Sequence, residues 1–410
     1  MREKRNMDWE VRSMNARPDL LVLADDLSGA AESAAAFLGR DVAIAIDVAG
    51  ATTGVVPSTA EVRVVDLGTR VMSSADAAAK LNAAVSELPS SVQVIKKIDS
   101  MLRGNIAAEM GVLAATGPVV IAAALPALDR ITVNGVLHID GVPLHLSGRW
   151  NMEDAVPPAS IGAMLGAAPH VLVGAGVDSS DLITALDAGI AVCDAATDAD
   201  LDAVVAAAAA IPGVRLVGTS ALAAAVARTL PAARVDSGNL EPVPALIVVG
   251  TAETVAAEQV RHAVAAGARP VQIDVDDLVN GRANPDTVRS ALAGGVAVLT
   301  VAGPVDPRLA GSVSHALGEL VASVVRGRAI GLVLTGGETA RRVVDALGIT
   351  TLVPITEVHD GAVVSRTEDG SWIATRPGSF GGHDSLISMS NYLRGIDDTS
   401  HFLSHSEASA

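Results

Sequence analysis

Short apolar runs such as LLVLA (20–24), VRVVD (62–66) and VAVLTVA (296–302) recur along the chain, and most are followed after a turn by an alanine-rich stretch with helical spacing. This alternation constrains the fold more than any other feature. A strand that is apolar on both faces must be covered on both, and the helices that follow it supply the cover. Composition points the same way: half of the residues are hydrophobic but only 2% are aromatic, so the core falls to Ala, Val, Leu and Ile. Such a core suits helices packed closely on parallel sheets.

At 410 residues the chain is longer than the roughly 250–300 residues that one core usually supports, so two domains are expected. In the first half, strands are expected at 20–24, 42–46, 62–66, 92–98, 119–124, 170–173, 191–194 and 214–218. In the second half they are expected at 245–250, 270–275, 296–302, 330–335, 351–358 and 371–375. Between the halves, PAARVDSGNLEPVPA (231–245) has neither period, and residues 233–244 read as a linker. The expected architecture is therefore α/β with two domains, 19–232 and 245–395, each a mainly parallel sheet flanked by helices. A charged N-terminal extension (1–18) and a polar tail (396–410) flank them.

The formal net charge of −17 argues against nucleic acid as a partner, because a phosphate backbone calls for clustered Lys and Arg. Any anionic substrate must then meet a local basic patch. The single cysteine, Cys193, cannot form an internal disulfide and reads as a small buried apolar residue. The opening MREKRNMDWEVRSMNARPD lacks the apolar stretch of a signal peptide, and the longest apolar runs fall short of the ~18–20 residues that span a bilayer. A cytoplasmic protein without a membrane partner is expected.

In open α/β sheets ligands gather beyond the carboxyl ends of the strands, so the residues just after each apolar run carry the search for chemistry. Asp25-Asp26-Leu27-Ser28-Gly29 follows the first run. One carboxylate there reads as a helix cap; the second needs another task, such as gripping or deprotonating a sugar hydroxyl. In VQVIKKIDSMLRGNIAAEM (92–110) the turn holds Lys97, Asp99, Ser100, Arg103 and Asn105, a basic cluster suited to an anion, with Arg103 paired to Asp99 or Glu109 as the plainer reading. Asp129, Arg130, Thr132 and Asn134 follow another run, and NGVLHIDGVPL reads as a hairpin; His138 and His145 lack the spacing of a metal helix. In the second half, LTGGETA places Gly336, Gly337, Glu338 and Thr339 at a strand-to-helix turn, where glycine amides and a helix N-terminus favour phosphate. RPGSFGG adds a further glycine loop at Gly378. There is no Walker-type GxxxxGK[ST], and GAGVDS (174–179) puts Asp178 and Ser179 where a dinucleotide fingerprint needs its last glycine.

Taken in order, ADDLSGA, KKIDSMLRGN, RITVNGVLHIDGVPL, LTGGETA and RPGSFG resemble the four-carbon acid sugar kinase family, formerly a domain of unknown function, over about residues 19–390. The resemblance implies a sugar-acid-binding N-terminal domain and a nucleotide-binding C-terminal domain, with the active site in the interdomain cleft. It implies transfer from ATP, with Mg²⁺, to the terminal hydroxyl of 3-oxo-tetronate, threonate, erythronate or a similar acid. By the same resemblance, Asp25, Asp26, Lys97, Asp99, Ser100, Arg103 and Asn105 face the substrate, while Thr251, Gly336 to Thr339 and Gly378 contact the nucleotide. Asp26 or Asp99 orients or deprotonates the attacking hydroxyl, and Arg103 clamps charge. Ser28 and Met101 stand where the family has Thr, and GTAETVAAEQ where a Ser-x-Ser-Pro-x-Thr loop is usual. Those departures leave a second expectation, a non-catalytic sensor of the same fold. A homodimer is the expected oligomer.

Overall fold

The computed structural model describes residues 20–48, 60–89, 91–150, 155–233, 240–250, 254–303, 309–378 and 380–396. The expected extension 1–18, half of the linker (234–239), Thr251 and the tail beyond Ile396 lie outside these. Two compact units are present, Met1–Val235 and Asp236–Ala410.

The strands of the first unit are β1 (Leu20–Ala24), β2 (Ile44–Asp47), β3 (Val62–Asp66), β4 (Gln93–Lys97), β5 (Val119–Ala122), β6 (Arg130–Val133), β7 (Val136–Ile139), β8 (Val142–Pro143), β9 (His170–Val173), β10 (Ile190–Cys193) and β11 (Arg215–Gly218). The main sheet runs β2-β3-β1-β4-β11-β5-β10-β9, every pair parallel. Apart from the edge strand β9, its strands are buried nearly throughout, as two covered faces require. One helix shows how close the cover lies: all of Leu27–Ala35, LSGAAESAA, is buried, and its small side chains permit that approach. β6, β7 and β8 form a separate antiparallel meander, the expected hairpin with one more strand.

The second unit contains β12 (Ala245–Val249), β13 (Arg269–Asp274), β14 (Val296–Ala302), β15 (Gly331–Thr335), β16 (Thr351–His359), β17 (Ala362–Thr367) and β18 (Trp372–Arg376). Its order is β13-β14-β12-β15-β18-β17-β16; the first five are parallel and the last three antiparallel. β17 is not among the strands expected from the apolar runs. Ser365 and Thr367 are buried in it, so a strand in the sheet reads locally as a polar turn.

Both units repeat one connection pattern. The chain leaves β1 for the outer β2, returns through β3 beside β1, and then crosses to β4 on β1's other side; β12, β13, β14 and β15 do the same. A crevice opens where successive connections leave in opposite directions, which places it beyond the carboxyl ends of β1 and β4, and of β12 and β15. Among the described residues no helix is long and apolar enough to cross a membrane.

Candidate active site

Register brings the first cluster together: Ala24 stands opposite Asp66 on β3 and Lys97 on β4, so the turns after all three strands meet at one end of the sheet. Asp26 caps the helix Leu27–Ala35, its Oδ1 accepting from the Gly29 amide at 2.7 Å. Its Oδ2 accepts from Arg70 Nη1 at 2.6 Å. Asp25 is bound bidentately by the same guanidinium, from Nε at 2.8 Å and Nη2 at 3.0 Å. Asp99 lies 3.5 Å from Arg70 Nη2 and is itself held by Arg103, at 2.8 Å from Nε and 2.9 Å from Nη2. Two amides, those of Met101 and Arg103, also donate to Asp99 Oδ2. Arg103 is therefore paired with Asp99, the plainer of the two sequence expectations.

Two further contacts complete the group. Arg130 donates to the Ser100 hydroxyl. Lys97 donates to the Ile98 carbonyl at 3.0 Å and lies 3.6 Å from Glu32. Four cations, Arg70, Lys97, Arg103 and Arg130, thus stand among four carboxylates, Asp25, Asp26, Glu32 and Asp99. Asp25, Lys97 and Asp99 are at most 5% exposed, so these charges interact in a poorly screened medium.

Burial opposes ionisation of Asp25, but Arg70 and then Lys96 outweigh it and hold the carboxyl below its usual range. The same contest, won by Arg103 and Arg70, drives Asp99 far down. Glu32 goes the other way: burial dominates its distant pairing with Lys97 and raises it. Ser28 Oγ, buried at the start of the capped helix, has no hydrogen-bond partner.

Arg70 and Glu32 are absent from the sequence-based set, yet Arg70 touches more of the cluster than any residue in it. Its signal was position, since it follows the apolar run of β3. Asn105 fixes that loop. Its amide donates to the carbonyls of Thr69 at 2.8 Å and Met72 at 2.9 Å, and its Oδ1 accepts from Ser74. Next to it Gly104 has φ +90°, and a Cβ there would lie 3.4 Å from Arg70 Cγ. Asn105→Ala is expected to cost about 1–3 kcal/mol in chemical denaturation, because two loop carbonyls lose their donor; an unchanged midpoint would show that water replaces it freely.

In the second unit, β15 leads through Gly336 (φ +90°) into the helix Gly337–Leu347, whose N-cap carries no side-chain hydrogen bond. Its first amides thus meet no capping side chain, the arrangement that receives an anion. Thr335 Oγ1 is buried at the same turn without a partner. Gly250, at the end of β12, lies so near that a Cβ would fall 2.3 Å from Thr339 Oγ1. Thr335 stands opposite Arg376, so the Gly378 loop leaves the neighbouring strand at the same end. An orphaned hydroxyl, a crowded glycine and uncapped amides together fit phosphate oxygens.

Comparison with known proteins follows the same division. Residues 20–226 match the model of a sugar-binding N-terminal domain, and residues 246–386 that of a nucleotide-binding C-terminal domain. A D-threonate kinase of Cupriavidus necator is 32% identical over 404 residues, covering 89% of this chain and 96% of its own. The chain belongs to the four-carbon acid sugar kinase family. A D-threonate kinase of Bordetella bronchiseptica is likewise 32% identical, over 92% of this chain and 98% of its own.

Two solved structures share the fold of this kinase family member. One, a Haemophilus influenzae protein of the DUF1537 family, superposes with a TM-score of 0.67 at 22% identity, covering 91% of this chain and 100% of the other. The second, a putative tRNA synthase from Salmonella typhimurium, gives 0.71 at 21%, covering 91% and 98%. Within this family frame, the sugar-binding match spans the whole β1–β4 cluster and the nucleotide-binding match spans the glycine turns.

Proposed function

We propose that the protein is an ATP-dependent kinase that phosphorylates the terminal hydroxyl of a four-carbon acid sugar, with D-threonate the first candidate. The observation that carries this reading is the cluster of Arg70, Lys97, Arg103 and Arg130 among carboxylates at the β1/β4 crevice of the sugar-binding match, in a chain of net charge −17. The names of the relatives supply the substrate class.

In this reading, Arg103 and Arg130 meet the substrate carboxylate, since planar forks suit it, and Lys97 adds a point charge. Asp25 and Asp99 hold arginines in place and bind hydroxyls with what acceptor capacity remains. Asp26 is the base. Asp99 is a poor one, pulled down by Arg103 and Arg70, whereas Asp26 stands at the edge with its side chain 14% exposed. The substrate hydroxyl oxygen attacks the γ-phosphorus, the bond from that phosphorus to the β,γ-bridging oxygen breaks, the proton passes to Asp26, and ADP leaves. Gly336 to Thr339 and Gly378 receive the phosphates. Mg²⁺, when bound, would supply charge neutralisation to the triphosphate.

The test is ADP release from ATP and Mg²⁺ with D-threonate, L-threonate, the erythronates and 3-oxo-tetronates. Turnover with one of them is expected. Folded protein that binds acid sugar and nucleotide without releasing ADP would instead make this a sensor.

A further inference from the structure

Two fully buried side chains of the second unit, Gln259 and Arg376, have polar groups that serve neither the helix nor the strand to which they belong. Gln259, on the helix Thr254–Ala265, donates from Nε2 to the carbonyls of Phe380 at 3.2 Å, Gly381 at 3.0 Å and Gly382 at 2.9 Å. One amide nitrogen with two protons is thereby shared among three carbonyls. Its Oε1 accepts from Arg376 Nη2, and Arg376 Nη1 donates to the carbonyls of Pro377, at 3.1 Å, and Phe380. No carboxylate among the described residues pairs with Arg376, and burial pushes its guanidinium down to about 10. Amide and peptide oxygens alone compensate this cation.

Every one of those loop oxygens is drawn to one side. In a trans peptide the N–H points opposite the C=O, and no cis bond is present among the described residues, so the amides that follow these carbonyls are turned away from the two side chains. We propose that Gln259 and Arg376 are positioning residues for the nucleotide. They hold the carbonyls of Pro377, Phe380, Gly381 and Gly382 inward so that the loop presents its amides to phosphate, and they do not touch the nucleotide. The proposal rests on the reading that this unit binds ATP.

Gln259→Glu separates the two halves of the contact. The carboxylate still accepts from Arg376, and now neutralises it, but offers oxygen in place of N–H to three carbonyls. The expected result is a cooperative melt that shows a folded protein, a KM for ATP raised about 10-fold or more, and a KM for the acid sugar within about 2-fold of wild type, since small displacements of binding groups carry such factors. Gln259→Met, similar in shape but without donors, is expected to weaken ATP binding likewise and guards against misfolding of the first variant. Either folded variant with wild-type ATP affinity overturns the proposal, as does a parallel rise in both KM values. Wild-type protein that does not bind ATP in calorimetry overturns the functional reading itself, and this proposal with it.

Discussion

Replacing Arg70 with alanine is expected to lower kcat/KM by roughly 10²–10³-fold, the range seen when a preorganised charge partner is removed, and to destabilise the first unit by about 3–5 kcal/mol, because buried carboxylates lose their cation. The magnitude follows from what Arg70 touches: both oxygens of Asp25, one of Asp26 and, at 3.5 Å, Asp99. Arg70→Lys keeps the charge but not the fork, so an intermediate loss is expected. The pH dependence weakens as well. In the wild type, Asp25 has a folded pKa below its unfolded value. Its contribution is therefore present above the unfolded pKa and is lost as pH falls through the folded one. Without Arg70 the largest partner opposing burial is gone and only Lys96 and Lys97 remain, so the Asp25 pKa rises and its stabilising contribution shrinks. Thermal melts from acid to neutral pH should rise with pH in the wild type and rise less in the variant. Matching curves and full turnover would remove Arg70 from the site.

Asp26→Asn is expected to reduce kcat by about 10²–10⁴-fold, the usual contribution of a general base, and to cost about 1–3 kcal/mol of stability, because Asn keeps the cap but turns an amide NH₂ toward Arg70 Nη1 in place of a carboxylate oxygen. The Gly29 amide keeps its acceptor and the helix Leu27–Ala35 its start. KM for the sugar should move little. Asp99→Asn provides the contrast, because Asp99 holds Arg103 with both oxygens and its loss should show mainly in KM. Steady-state kinetics of the two variants decide the assignment. A silent D26N beside a D99N crippled in kcat would move the proton to Asp99.

The strands were legible where apolar runs were long. β1, β3 and β14 lie at the residues the runs indicated, because burial in the sheet leaves an apolar signature of strand length; the edge strand β9 does so too although Leu172 in it is exposed. β17 was not legible, since its buried Ser365 and Thr367 look like turn residues until neighbouring strands enclose them. The shared connection pattern of the two units was equally silent. No repeat stands out by eye, and many sequences fill the same strand order.

Local sequence was enough for the alternation of strand and helix, and with it the turns at which chemistry would emerge: Asp25 and Asp26 after β1, Lys97 to Arg103 after β4, Gly336 to Thr339 after β15. These follow from neighbours along the chain, where periodicity and turn chemistry act. Which charges meet was settled by the pairing of distant strands. Arg70 reaches Asp25 because β3 and β4 both pair with β1, and Gln259 reaches Phe380 across 121 positions because a helix packs over a strand end. Such meetings depend on strand order and on packing between distant segments, which local spacing does not encode.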